Sequence, residues 1–278
     1  MVWQREVDLV VPLWQGGDDV RVAAGAGQLA RLAPTHAGRL HIAVSEGPRA
    51  ARDGIRNLDT VAETTRRMRD RLARRDPARI LTLGGDCTCD IAAAQHLAAR
   101  HPDMTVYWID AHGDLNVPAQ SPSGLAHGMA LRILLGEGHP DLVGPAGSAI
   151  APHQVVLAGV RDLDPPERAY IAANDVAALG PDHLATRPEQ VTSGRRAGSP
   201  AYVHLDVDVC DPLEMPAVSL PTRGGPGVAA VARALAAVSA YHEVVGVAVT
   251  EYAPVIEHDE DRVAALLDGL DLLERAPA

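Results

Sequence analysis

Residues Val106–Asn116 read VYWIDAHGDLN. A short β-branched and aromatic run breaks without transition into Asp110, His112 and Asp114. A continuous apolar run of this length, bounded by polar residues, suits a strand buried on both faces, so a strand is expected over Thr105–Ile109 with its polar groups clustered at the exit. Similar runs recur on both sides, at Val7–Leu13, Leu40–Val44, Ile80–Leu83, Val155–Gly159, Tyr202–Val207 and Val244–Val249. Between them, Leu58–Arg75, Ile91–Arg100, Met129–Leu135, Val228–Tyr241 and Asp261–Glu274 carry the 3.6-residue apolar spacing of amphipathic helices. Strands alternating with helices predict an α/β fold, three layers α/β/α around a mostly parallel central sheet. In such sheets ligands bind outside the carboxyl ends of the strands, where the strand order reverses.

The whole chain, 1–278, reads as one domain. Looser stretches at Val117–Gly124, His139–Pro152, Pro181–Pro200 and Asp211–Gly227 have the composition of loops and not of long linkers. The 278 residues are 47% hydrophobic and 22% charged, which excludes disordered, collagenous and disulfide-scaffold classes. There is no Phe and only 3% aromatic residue, so the apolar content of Ala, Val and Leu suits helices packed on buried strands. A net charge of −11 argues against nucleic acid as the main partner and suits a cationic ligand or none. Cys87, Cys89 and Cys210 are too few for a disulfide framework, so a cytoplasmic location is expected. No secretory leader and no apolar run of membrane-spanning length is evident. The Arg66–Arg67 and Arg74–Arg75 pairs, with Asp and Glu nearby, read as a solvated helix face.

A second segment repeats the device of the first. Val203–Pro212 reads VHLDVDVCDP and places Asp206 and Asp208 at a strand exit. On an extended chain, positions i, i+2 and i+4 share one face, which would align Asp110, His112 and Asp114 and likewise Asp206 and Asp208. A lone Asp after a strand caps a turn as readily as it binds a cation. Four carboxylates on facing strand ends, however, repel strongly without a cation between them. Hard oxygen ligands with one imidazole suit Mn²⁺ or a similar divalent ion, and two ions sharing carboxylates can activate a water between them. A third segment, Leu81–Asp90, reads LTLGGDCTCD. Its Gly84–Gly85 pair allows a sharp turn, and Cys87 is open to two readings, a ligand or a small buried hydrophobe. Cys89 and Cys210 read as buried thiols.

Taken in order, GGDCT at Gly84–Thr88, DAHGD at Asp110–Asp114, SGLAHG at Ser123–Gly128, RDLDP at Arg161–Pro165, DVDVCDP at Asp206–Pro212 and TEYAP at Thr250–Pro254 resemble the ureohydrolase family of arginases and agmatinases. The resemblance implies two Mn²⁺ ions. Asp110 and Asp206 would bridge them, His112 and Asp208 would complete one site, and Asp114 with Cys87 the other. It also implies that Glu251 pairs with a guanidinium and that His127 transfers a proton, with Asp114 assisting. Asn116, Ser123 and Asp164 match positions that hold the α-carboxylate and α-amino groups of an amino-acid substrate. His204 shares a face with Asp206, but the resemblance gives it no role. Assembly as a monomer or a homo-oligomer is left open.

Two departures stand out. Arginases carry His where this chain has Cys87, and Asn where it has Leu125. A ligated thiolate would make the cluster more negative and its water harder to deprotonate, and would favour softer metals. Cysteine here is similar to the hydroxyarginine-hydrolysing branch of the family that serves D-cycloserine biosynthesis. That branch releases hydroxyurea and L-ornithine from N-omega-hydroxy-L-arginine. The alternatives are an arginase, a guanidinobutyrase or agmatinase-type hydrolase, and a catalytically silent relative that has lost a metal ligand.

Overall fold

The structure is a computed structural model that describes residues 3–35, 37–47 and 49–273. Its centre is an eight-stranded sheet in the order β2-β1-β5-β10-β9-β6-β7-β8, with every neighbouring pair parallel. The strands are β1 (Val7–Val11), β2 (Gly38–His41), β5 (Ile80–Gly84), β6 (Thr105–Ile109), β7 (Val155–Ala158), β8 (Ala177–Leu179), β9 (Pro200–Asp206) and β10 (Glu243–Thr250). A separate two-stranded ribbon pairs β3 (Ala51–Arg52) with β4 (Ile55–Arg56).

Every residue of β1, β5 and β6 is buried, as a sheet covered on both faces requires. One face carries α2 (Leu58–Arg75), α3 (Ile91–Arg100), α4 (Ala130–Leu134) and α5 (Pro165–Ala173). The other carries α1 (Ala23–Leu32), α6 (Pro181–Thr186), α7 (Val228–Tyr241) and α8 (Glu260–Gly269). This is the three-layer α/β/α architecture expected from the sequence. In α2, Leu58, Val61, Met68 and Leu72 recur at helical spacing and point into the core. Its outer face pairs Arg66 with Glu63 and Asp70, and Arg67 with Glu63, so this pair of arginines does sit on a solvated face.

All seven expected strands form, with ends shifted by a few residues. Expected helices α2, α3 and α7 form over the expected spans, and α4 is shorter by one residue at each end. The last helix stops at Gly269 and not at Glu274, a residue outside those described. Besides α1, four features were not expected. β8 reads AAL, with no β-branched residue to announce it. The β3–β4 ribbon turns on Asp53-Gly54, both with positive φ, a pairing typical of type I′ hairpins. The α5 helix opens Asp164-Pro-Pro-Glu167, and Glu167 accepts a hydrogen bond from the Asp164 amide at 2.8 Å, half of a capping box. The expected loop at Pro181–Pro200 begins with the short α6, which has Pro at its first position.

The α1 helix escapes notice because its sequence, AAGAGQLARL, holds two glycines. They differ physically. A Cβ on Gly25 would lie 2.1 Å from the Tyr252 carbonyl oxygen, so α1 can approach the exit of β10 only without a side chain there. A Cβ on Gly27 would meet nothing nearer than the Arg31 guanidinium at 4.0 Å. Gly27→Ala is therefore expected to raise the unfolding free energy by about 0.5–1 kcal/mol, the helix-propensity gain. Gly25→Ala is expected to lower it by about 2 kcal/mol or more through the collision. Urea titration of the two variants measures both shifts.

Candidate active site

Four neighbouring strands at the middle of the sheet, β5, β10, β9 and β6, end along one edge, and each delivers polar side chains to the same cleft. After β5 the chain makes one tight helical turn, Cys87–Asp90. After β10 comes Glu251, held by a hydrogen bond from its amide to the Gly85 carbonyl at 2.6 Å. Asp206 closes β9, and another short turn, Val207–Val209, brings Asp208 back so that its amide donates to the Asp206 carboxylate at 2.8 Å. After β6 the His112 amide donates to Asp110 at 2.7 Å.

These turns correct the expectation of strand alternation. The chain leaves β6 before Asp110 and turns directly after Asp206, the last residue of β9, and Asp114 has a positive φ of 52°, so the side chains converge by bending and not by sharing one face of an extended strand. Glu251 has a positive φ as well, 61°. Such backbone conformations at non-glycine residues cost about 1–3 kcal/mol and persist where surroundings enforce them.

At the floor of the cleft, Cys87 Sγ lies 3.4 Å from Asp206 Oδ2 and 3.4 Å from Glu251 Oε1. His112 Nδ1 is 3.1 Å from Asp208 Oδ2 and 3.4 Å from Asp110 Oδ1. Among the described residues, three groups of donor atoms stand close enough to share a cation, with all atoms of a group within 4.8 Å: Asp110, His112 and Asp208; Cys87, Asp110, Asp114 and His204; and Cys87, His127 and Glu251. Asp110 belongs to the first two and Cys87 to the last two. His204 is the member to which sequence reading gave no role.

The donor set fits divalent cations on electrostatic grounds. Asp110, Asp114, Asp206, Asp208 and Glu251 are all buried, and Asp114 Oδ2 has no hydrogen-bond partner among the described residues. Burial pushes the carboxyls of Asp114, Asp206 and Asp208 above their ordinary range, and each is raised further by a neighbouring carboxylate. The Cys87 thiol is likewise pushed up by burial and by the charges of Asp114 and Glu251. For Asp110 burial acts upward too, but the imidazoles of His112 and His204 outweigh it and hold the carboxyl low.

Higher in the cleft, His127 Nδ1 is 3.0 Å from Glu251 Oε1, and Ser219 donates its hydroxyl to Oε2 of the same carboxylate. Burial would lower the His127 pKa, but Glu251 raises it to about 9. Asn116 donates to Asp164 at 2.8 Å, and Ser123 sits exposed on the rim. Cys87, His112, Asp114, Asn116, Ser123, His127, Asp164, Asp206, Asp208 and Glu251 thus line one cleft, with Asp110 buried beneath it. Cys89 and Cys210 are buried outside its lining.

Three supporting residues were not legible. Asp86 accepts from the amides of Gly16 and Gly17 at 2.8 and 3.2 Å, which seats the loop after β1 beneath His127. Glu167 accepts from the Leu115 amide at 2.9 Å and so fixes the segment between Asp114 and Asn116. The Arg161 guanidinium donates to the carbonyls of Gly159, Val209, Asp208 and Thr222 at 2.7–3.1 Å, tying the exit of β9 to that of β7. Asp86 and Arg161 lie within the quoted motifs and Glu167 lies outside them, and only the folded chain shows which backbone groups the three reach.

An acidic, cation-ready cleft at the carboxyl edge of a parallel sheet defines the class as an α/β enzyme built around a metal centre. The model of the Arginase family matches residues 16–269. An arginase of Staphylococcus aureus (strain MRSA252) is 33% identical over 220 residues, 74% of this chain and 72% of its own. The native structure of the Bacillus caldovelox arginase superposes with a TM-score of 0.81 at 28% identity, covering 98% of this chain and 99% of that one. An Entamoeba histolytica arginase solved with L-ornithine has a TM-score of 0.85 at 22% identity over 97% and 99% of the two chains, a likeness of fold. The chain belongs to the arginase family, hydrolases of amidino carbon–nitrogen bonds.

The Arg161 clamp yields a stability prediction. Arg161→Met removes the shared donor from several backbone carbonyls, and each buried acceptor left unsatisfied costs about 1–3 kcal/mol. A loss of about 3 kcal/mol or more in unfolding free energy is expected by denaturant titration. A loss below about 1 kcal/mol would mean that water replaces the guanidinium without cost.

Proposed function

We propose that this chain is a binuclear amidinohydrolase that converts N-omega-hydroxy-L-arginine to hydroxyurea and L-ornithine in the cytoplasm, with Mn²⁺ as its metal. The observation that carries the reading is Cys87 at the floor of the cleft, in contact with Asp206 and Glu251. In this reading Asp110, Asp206, His112, Asp208, Cys87 and Asp114 would together hold the two cations, His112 and Asp208 on one side of the cleft and Cys87 and Asp114 on the other. The cation pair supplies Lewis acidity and lowers the pKa of water toward neutrality. A thiolate among its ligands weakens that acidity, which suits a substrate whose N-hydroxyl group already withdraws electron density from the guanidino carbon.

The side chains divide the remaining work. Glu251 holds the guanidinium, and the hydrogen bonds from Ser219 and His127 fix its carboxylate for that task. Asn116, Ser123 and Asp164 receive the α-carboxylate and α-ammonium at the mouth. Water adds to the guanidino carbon, the bond from that carbon to the side-chain nitrogen breaks, and the departing nitrogen takes a proton. His127, kept protonated at neutral pH by Glu251, is the donor nearest the cleft, with Asp114 accepting the proton that water gives up. A second reading, hydrolysis of L-arginine to urea and L-ornithine, is favoured by the arginases among the relatives.

Steady-state turnover of N-omega-hydroxy-L-arginine, L-arginine and agmatine by Mn²⁺-loaded protein separates the readings. Preference for the hydroxylated substrate is expected. Preference for arginine supports the second reading, and stoichiometric metal without turnover of any guanidino compound refutes both. Cys87→His is expected to raise Mn²⁺ affinity and shift turnover toward arginine, whereas an unchanged ratio with unchanged metal content would show that the thiol is not a ligand. Chelation is expected to lower Tm by about 5 °C or more, since free Mn²⁺ at a hundred times Kd adds about 2.7 kcal/mol per site. Re-addition of Mn²⁺ should restore it in a thermal scan.

A further inference from the structure

His204 lies on β9, two residues before Asp206, and is 0% exposed. Its ring stacks on Trp108, the partner residue on β6, with centroids 3.6 Å apart and planes within 5°. Nδ1 is 2.6 Å from Asp90 Oδ2, and the other Asp90 oxygen accepts the Tyr202 hydroxyl. Asp90 ends the turn that carries Cys87 and leads into α3, so the element that places the thiol also aims the imidazole. The second ring nitrogen, Nε2, is buried and has no hydrogen-bond partner among the described residues. It points into the group formed with Cys87, Asp110 and Asp114, at 3.7 Å from Asp110 Oδ2.

We propose that His204 is a nitrogen ligand of the cation on the Cys87 side of the cleft, with Asp90 as the carboxylate that orients it. This assignment rests on the metal reading given above and adds a ligand to it.

The argument is one of hydrogen-bond inventory. With Nδ1 turned to Asp90, the ring atom left to face the cleft is Nε2. A proton on Nε2 would find the Asp110 carboxylate only at 3.7 Å, beyond hydrogen-bond reach, and a lone pair there would face a carboxylate in a dry pocket. A divalent cation between Nε2 and Asp110 satisfies both groups. An imidazole with one nitrogen tied to a carboxylate and the other free is the recurrent arrangement at protein metal sites. Trp108 also donates its indole N–H to Asp110 Oδ2 at 3.2 Å, so ring stack and carboxylate form one rigid wall. Each cation would then have one imidazole, His112 on one side and His204 on the other. The neutral donor stands beside the thiolate, where a wholly anionic ligand set would be most repulsive.

The test is a crystal structure of the full chain loaded with Mn²⁺, with the ions located by anomalous scattering. It is joined to pulsed electron paramagnetic resonance of the same wild-type protein. The expected result is Nε2 about 2.0–2.3 Å from one ion, with two inequivalent imidazole nitrogen couplings. His204→Gln should remove one coupling and weaken one of two Mn²⁺ sites by about tenfold or more in calorimetric titration. Asp90→Asn, which keeps an acceptor for Nδ1–H, should weaken that site less. Manganese bound with Nε2 farther than about 3 Å from either ion, or a single imidazole coupling in the wild type, overturns the assignment and leaves the metal reading standing. Failure of the wild type to take up any divalent ion overturns both.

Discussion

Carboxylates held close together out of water govern this molecule. Two like charges about 4 Å apart repel by roughly 4 kcal/mol even at an effective dielectric of 20. Asp110, Asp114, Asp206, Asp208 and Glu251 are all buried at one sheet edge, with the Cys87 thiol among them. A few uncompensated pairs would rival the whole stability of a domain, about 5–15 kcal/mol. The parallel sheet makes the crowding feasible. Strands β5, β10, β9 and β6 are adjacent and point the same way, so the four chain exits meet whether or not the side chains repel. The helices on both faces then hold the strands in register while the acids wait for cations.

That constraint explains where the irregular backbone lies. Asp114 and Glu251 both adopt left-handed conformations, and both sit where the chain must bend back over the cleft. Around them the supports are backbone-directed. Arg161 gathers carbonyls, Asp86 gathers amides, and Glu167 receives the amide of Leu115. None of these contacts binds a ligand, but each removes a freedom that repulsion among the acids would otherwise exploit. A site of this kind is held by the hydrogen bonds of its surroundings and not by attraction among its own groups.

The legibility of the sequence follows the same division. Long amphipathic periods and continuous apolar runs announced α2, α3, α7 and the seven inner or well-formed strands, because burial on one face or two leaves a pattern along the chain. β8 is three residues of Ala and Leu, and α1 is rich in Ala and Gly, so neither carries a contrast to read. The ligand-dense segments were legible because several polar residues interrupt an apolar run at short spacing. Their geometry was not, since the chain turns after Ile109 and Asp206 where an extended strand was expected. Asp86, Arg161 and Asp90 stand beside residues that drew attention, but their partners lie far off in sequence: Gly16, Val209 and His204.

His204 and Cys87 show how far a one-dimensional reading of a metal centre reaches. Spacing motifs locate candidate ligands that leave the sheet together, as Asp110, His112 and Asp114 do. They are blind to a candidate supplied from within a strand, because its neighbours in sequence are core residues such as Tyr202, Val203 and Leu205. The proposed role of His204 depends on three features that no spacing encodes: a stacked Trp108 on the next strand, an Asp90 carboxylate on the turn after β5, and an unpartnered Nε2 facing Asp110. The Cys87 thiol and the His204 imidazole, one from the turn after β5 and one from β9, meet in the same donor group. On this view the chemistry of the Cys87 side is a property of the pair of positions, 87 and 204, and neither residue alone sets how strongly the site polarises what it binds.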